Sequence, residues 1–170
     1  MMPSDTGTTE KAAASAVRDR VFLVVVDDSP ERAVALKYAC LRARKSGGRV
    51  ALLRVIEPAD QTEWAGVGAL MQEEGREEAE RLLSGLAAQV NEMTGGLPIL
   101  LIREGDPRDE LLALIAEDPR ISILILAASA ATGGPGPLIT ALTSRYASKV
   151  TVPMTIVPGT MDDDALERVT

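Results

Sequence analysis

The chain has 170 residues, 46% of them hydrophobic, which is enough for one domain with a buried core and short for two. Its formal net charge is -7 and no basic stripe offsets it, so binding to nucleic acid or to anionic membranes is disfavoured. It has no histidine and one cysteine, which disfavours zinc chemistry and excludes an intramolecular disulfide. No apolar run approaches the roughly 20 residues that span a bilayer, so we predict a cytoplasmic protein without membrane insertion.

The amino-terminal part predicts a tail followed by a strand and a helix. Residues 1–19 are polar without apolar periodicity, and we expect a flexible tail there. Residues 21–26 are an unbroken apolar run, typical of a strand buried on both faces. Ser29, followed by proline, has the pattern of a helix N-cap, and Gly47 has that of a helix end. Cys40 falls on the apolar stripe of this helix, which favours a core role over a redox role.

The middle of the chain predicts a second strand over residues 50–56, a helix over residues 71–93 and a third strand over residues 98–102. A long connection, residues 57–70, separates the second strand from the helix. Its Trp64 would either cover the edge of the sheet or meet a protein partner.

The carboxyl-terminal part repeats the strand and helix pattern. Asp106 before a proline predicts the N-cap of a third helix, and residues 121–126 predict a fourth strand. A glycine-rich loop and a short helix lead to a fifth strand over residues 152–157. Residues 159–170 are acidic, and we expect a solvated tail. The short helix places three side chains on one side: Leu138, Leu142 and Tyr146.

Strands that alternate with helices at this spacing predict an α/β domain over residues 20–158. Parallel strands in the order 3-2-1-4-5 would form one five-stranded sheet, with right-handed crossovers and helices on both faces. Ligands of such sheets bind in the crevice at the carboxyl ends of the strands, so we expect a site there.

Four segments in this order resemble the universal stress protein family: VVVDDSP at 24–30, LLRVIEP at 52–58, EGDP at 104–107, and ILILA at 123–127 with SRYASKVTVPMTIVP at 144–158. The resemblance covers nearly residues 20–158. It implies a Rossmann-like fold of the adenine nucleotide alpha hydrolase-like type and a homodimer.

Nucleotide-binding members of that family carry G-x-x-G, a nine-residue spacer and then G-[S/T] after the fourth strand. An ungapped count puts these positions at Ala127, Ala130, Thr140 and Ala141, and none of them carries the family's residue. Added methyl groups and a missing hydroxyl disfavour close contact with phosphate. Three nearby glycines could rebuild a turn of different shape: Gly133, Gly134 and Gly136.

Two other positions match the family better. The resemblance implies that Asp27, at the end of the first strand, faces a ligand and that the backbone of Val55, in the second strand, contacts adenine. Asp27 also has a structural interpretation, because an aspartate at the end of a strand often fixes the following turn. The sequence leaves both roles for Asp27 open.

Two other functional classes are disfavoured. The pair Asp27 and Asp28 resembles the magnesium-binding start of a response-regulator receiver, but Glu104, rather than the phosphorylated aspartate, ends the third strand. Ser129 and Ser144 lack a histidine that would activate a nucleophile. We therefore expect no turnover chemistry.

The fifth strand lies at an edge in the predicted order, yet residues 150–161 carry no charge. Exposed edges normally carry charges or bulges that prevent further pairing. We predict a two-fold homodimer through this edge, formed by Val152, Met154, Thr155, Ile156 and Val157.

The leading interpretation is a regulatory or binding homodimer that needs no cofactor and binds ATP weakly. The alternative is a switch that holds ATP with magnesium at Asp27, Val55 and the loop of residues 127–141. A third interpretation is an accessory subunit that docks a protein through residues 57–70.

Overall fold

Strands alternate with helices in the computed structural model, which describes residues 20–58 and 65–170. The predicted tail and Trp64 lie outside these residues. The strands are β1 (Val21–Val25), β2 (Arg49–Ile56), β3 (Ile99–Glu104), β4 (Ile121–Ala128) and β5 (Met154–Pro158). The helices are α1 (Arg32–Ser46), α2 (Ala65–Thr94), α3 (Pro107–Glu117), α4 (Pro137–Thr143) and α5 (Asp163–Val169), with a single 3₁₀ turn at Ala147–Lys149.

Within the described residues, the five strands form one parallel sheet in the order β3-β2-β1-β4-β5, so the predicted fold class and strand order are confirmed. Side chains of β1 alternate between two cores. Phe22 and Val24 pack with α1, α2 and Leu166 of α5 on one face, whereas Leu23 packs with α3 and α4 on the other. Burial on both faces explains why β1 is a continuous apolar run.

The predicted N-cap of α1 is wrong. The helix begins at Arg32, with Glu31 at the cap position and no side-chain capping bond. Ser29 does not cap it, because its N–H and its hydroxyl donate to the Asp27 carboxylate at 3.0 and 2.6 Å. The predicted end is confirmed, since Gly47 has the left-handed φ of 77° and its N–H donates to the Ala43 carbonyl.

The third helix begins as predicted. The Asp106 carboxylate accepts hydrogen bonds from the amides of Arg108 and Asp109. The Arg108 guanidinium and these amides hold the pKa of Asp106 well below its usual value. This cap fixes the start of α3 beside the carboxyl end of β3.

The second helix begins earlier than predicted. Residues 65–70 belong to α2, although they were expected in the connection 57–70. Gly66 and Gly68 lie inside the helix. The helix is anchored further along by Ala79, Leu83 and Val90, which are buried. The first turns, which contain the two glycines, are mostly exposed and precede this packed part of the helix.

The solvated tail predicted at the carboxyl terminus is also wrong. Asp162 caps α5 by accepting the Ala165 N–H at 2.8 Å, and Leu166 is only 1% exposed. Asp163 pairs with Lys37 of α1 at 2.6 Å. One buried apolar side chain and ion pairs with basic residues of α1 therefore hold this helix on α1.

Two smaller predictions differ from the structure. Tyr146 lies beyond α4, which ends at Thr143 before the chain turns at Ser144. Val152 lies outside β5, which begins at Met154. The hydrogen bonds between β4 and β5 instead start at Pro153, whose carbonyl accepts the Leu124 N–H at 2.9 Å.

Candidate functional site

A cavity of about 450 Å³ opens at the carboxyl ends of β1, β2 and β4, where the order of the strands reverses. This is the crevice in which open α/β sheets hold ligands, and the volume suits a small molecule. Four predicted site residues line it: Asp27, Val55, Ala127 and Gly136.

The walls of the cavity are apolar and its mouth is acidic. Val25, Leu126 and Ile139 contribute apolar surface. Among the described lining residues, four carboxylates face one guanidinium: Asp27, Asp28, Glu57 and Glu78 against Arg54. The local field therefore disfavours a polyanion such as a triphosphate.

Arg54 is already engaged by the protein. Its guanidinium pairs with Asp28 at 2.9 Å and donates to the Val26 carbonyl at 3.2 Å. These bonds join the ends of β1 and β2. A phosphate that recruited Arg54 would have to compete with Asp28.

Of the two roles that the sequence left open for Asp27, the structure shows the structural one. Its Oδ1 holds the turn through Ser29, and the residue also lines the cavity. The hydrogen bonds from Ser29 to the Asp27 carboxylate fix the turn after β1. The position of Asp27 in the lining of the cavity is also compatible with contact to a ligand.

The loop after β4 satisfies its first amides internally. Ser129 N–H donates to the Pro135 carbonyl at 3.2 Å, and Ala131 N–H donates to the Ser129 hydroxyl oxygen at 3.1 Å. Between them, Ala130 N–H donates to Oε1 of Glu31 at 2.9 Å. Three consecutive amides that could donate to an anion are thus bonded to the protein itself.

Sequence reasoning missed Glu31. The Ala130 amide lowers the pKa of the Glu31 carboxyl below its usual value of 4.5. A Cβ atom on Gly159 would lie 2.3 Å from the Glu31 Cγ, so the glycine leaves room for this side chain. The hydrogen bond between Glu31 and Ala130 joins residues 99 positions apart, so no local sequence pattern predicts it.

None of the other candidate residues lines the first cavity, and Gly136 also lines a second hollow. Gly133, Gly136, Thr140 and Ala141 line a second, shallower hollow of about 530 Å³. Ala130 and Gly134 line neither of these two hollows. The Thr140 hydroxyl donates to the Gly136 carbonyl at 2.8 Å, within its own helix. The structure therefore does not assemble the candidate loop into one cradle.

The second hollow is basic, unlike the first. Around the Tyr146 ring lie the charged groups of Arg108 at 5.9 Å, Arg145 at 5.9 Å and Lys149 at 5.3 Å from its centroid. Such cations are attracted to the face of the ring. Arg108 is at the same time bonded to Asp106.

Other chemistry-bearing groups are accounted for by packing or pairing. Cys40 is buried in the core, and burial raises the pKa of its thiol to about 11. Among residues 20–58 and 65–170, no group of three or more metal-ligating side chains comes together. No helix in the described part of the chain is both long and apolar enough to cross a membrane.

The predicted docking segment 57–70 is described only at its ends. Val67 and Leu70, in the first turns of α2, are 51% and 58% exposed. Docking of a partner there stays a prediction.

The fold and the site define an α/β protein with a ligand crevice at the switch point of a parallel sheet. The model of the universal stress protein family matches residues 20–158. The chain belongs to the universal stress protein family.

Solved structures show the same fold at low sequence identity. A universal stress protein UspA from Lactobacillus plantarum has 16% identity and a TM-score of 0.71, covering 82% of this chain and 98% of its own. The universal stress protein from Archaeoglobus fulgidus in complex with dAMP has 18% identity and a TM-score of 0.56, with coverages of 81% and 97%. A universal stress protein in complex with cAMP has 16% identity and a TM-score of 0.55, with coverages of 83% and 98%. A search of curated proteins finds no match.

Proposed function

We propose that this chain is a regulatory binding module of the universal stress protein family that has low affinity for ATP and carries out no turnover. The observation that carries the proposal is the self-bonded loop after β4. The amides of Ser129, Ala130 and Ala131 all donate to acceptors of the protein. A bound phosphate would have to replace these bonds, and their loss would offset the new contacts.

The charge of the cavity supports the same proposal. Its described lining has an excess of carboxylates, and Arg54 is paired with Asp28. A triphosphate entering this field would be repelled, because the one cation among the described lining residues is already paired. An uncharged or cationic small molecule fits the apolar walls and the acidic mouth better.

The hydroxyl groups near the loop support the absence of turnover. Those of Thr143 and Ser144 donate to carbonyls of α4, and that of Ser129 accepts the Ala131 N–H. The sequence offers no histidine to activate any of them. A nucleophile would need such a base within hydrogen-bond reach.

The alternative function is an adenine-nucleotide switch. It is favoured by the position of Asp27, Val55 and Ala127 around one cavity of about 450 Å³. Two structures of similar fold are described as complexes with dAMP and with cAMP. In this alternative, magnesium would accompany ATP at the mouth of the cavity, where Asp27 and Asp28 supply carboxylates.

We also propose that the module acts as a homodimer through β5. This strand lies at one edge of the described sheet and carries no charged residue. Ile156 on it is 37% exposed, and coverage by a second copy would remove that apolar surface from water. The absence from the sequence of an apolar run near the roughly 20 residues that span a bilayer makes cytoplasmic residence an expectation.

Calorimetric titration with ATP and magnesium tests the main proposal. We expect no saturable heat for the wild-type protein up to millimolar ATP, which corresponds to a binding free energy weaker than about -4 kcal/mol. Saturation at micromolar ATP would contradict the module and support the switch. An Asp27→Ala variant then serves as a control, because only the switch predicts that it weakens binding.

A further inference from the structure

Glu31 is held against a loop from which it is distant in sequence. It lies at the start of α1, and its Oε1 accepts the N–H of Ala130, 99 residues later, at 2.9 Å. Ala130 follows β4 at the carboxyl edge of the sheet. Backbone amides in such strand-to-helix loops are common donors to anions. A carboxylate of the protein therefore occupies a donor that a phosphate oxygen would otherwise use.

The contact is built into the packing around it. Gly159, just after β5, bonds through its N–H to the Ala128 carbonyl at 3.0 Å. A Cβ atom at this position would lie 2.3 Å from Glu31 Cγ and 2.5 Å from the Ala128 oxygen. The glycine thus forms the floor of a slot that accommodates the Glu31 side chain. The ends of α1, β4 and β5 meet in this slot.

The carboxylate is charged under ordinary conditions. The hydrogen bond from Ala130 favours the ionised form and lowers the pKa of Glu31. A phosphate on the neighbouring amides would therefore meet both an occupied donor and a like charge. Both effects act against anions and leave uncharged ligands of the cavity unaffected.

We propose that Glu31 is a specificity-determining residue whose carboxylate acts as an internal anion and keeps phosphate groups from the loop after β4. The inference rests on the proposed function, because it explains low ATP affinity by one side chain. Removal of the side chain frees the Ala130 amide and deletes one negative charge. The Ala130 amide then becomes available to a phosphate, while the Ser129 and Ala131 amides keep their bonds within the loop.

Two substitutions separate the hydrogen bond from the charge. Glu31→Ala removes both. We expect this variant to bind ATP with magnesium roughly tenfold more tightly or better, because a phosphate no longer has to replace a charge-assisted hydrogen bond. Glu31→Gln removes the charge but keeps an oxygen that can accept the Ala130 N–H, so we expect a smaller gain. Calorimetry at constant ionic strength measures both variants, and circular dichroism checks that they fold.

Glu92→Ala is the matched control, because it deletes one exposed carboxylate near the carboxyl end of α2. We expect it to bind ATP as weakly as the wild type. A gain with Glu92→Ala equal to that of Glu31→Ala would overturn the inference, since bulk charge would then explain it. Folded Glu31 variants that remain as weak as the wild type would also overturn it and leave the proposed function intact. Tight ATP binding by the wild type would instead overturn the proposed function.

Discussion

Single side chains decide how the site of this protein differs from a phosphate cradle. Methyl groups at Ala127 and Ala130 were visible in the sequence, and they suggested a poor phosphate site. The geometry adds a second cause, because Glu31 bonds to the Ala130 amide. In the proposed role of Glu31, anion binding by the loop beside the crevice is limited by a contact across the fold as well as by the loop's own composition.

The Ala130 amide should report the protonation of Glu31. Because the folded pKa lies below the usual 4.5, the carboxylate stays charged until the pH falls beneath that value. The contact therefore stabilises the fold at pH values above the pKa of the Glu31 carboxyl in the unfolded chain. This stabilisation is lost as the pH falls through the pKa of the carboxyl in the folded protein. Amide resonances followed by NMR from pH 7 to pH 3 should show the Ala130 signal shifting with a midpoint below 4.5.

Glu31→Gln supplies the control for this titration. The Ala130 signal of the variant should be nearly flat over the same range, because no carboxyl group remains at the contact. A wild-type midpoint at or above 4.5 would show that the amide does not stabilise the charged form.

Candidate site residues could be predicted from sequence only where they follow strands. Asp27, Val55 and Ala127 come together because carboxyl ends of parallel strands share one edge, a rule that local patterns reveal. Thr140 and Ala141 were assigned by spacing alone, and α4 turns them toward the second hollow. Spacing carries no information about the direction in which a short helix leaves its loop.

At the scale of elements, strong local signals located the helices and strands, and packing set their ends. Buried runs and the Asp106 cap predicted β1, β4 and the start of α3 correctly. The start of α2 and the existence of α5 were missed. The docking of α5 depends on the burial of Leu166, which its acidic neighbours in the sequence do not indicate. The first turns of α2 are mostly exposed and contain glycines of low helix propensity, so neither periodicity nor composition predicted them.

The docking of α5 should contribute measurably to stability. Leu166 is 1% exposed and packs in the core cluster of α1, so Leu166→Ala should lower the free energy of unfolding by about 2–4 kcal/mol. Urea denaturation followed by circular dichroism measures the change.

Val169→Ala is the matched control on the same helix, because Val169 is 56% exposed. Its effect should stay within about 0.5 kcal/mol. Equal small effects of the two substitutions would mean that α5 does not dock on α1 in solution.

At the scale of the whole molecule, the two edges of the described sheet differ. The edge strand β3 ends in Arg103 and Glu104, and these charges lie in salt bridges with Glu117 and Arg76. The opposite edge strand, β5, carries no charge. Charged edges resist pairing with another sheet, so β5 is the edge that would accept a second copy.

Thr155→Lys should convert the proposed homodimer into a monomer. A charge in the middle of β5 would be buried without a partner where two copies meet, and this cost opposes association. Leu100→Lys is the matched control, because Leu100 is 42% exposed on the other edge strand. Sedimentation equilibrium should give 18.0 kDa for Thr155→Lys and twice that mass for the wild type and for Leu100→Lys. A dimer that survives Thr155→Lys but dissociates with Leu100→Lys would place the interface on β3 instead.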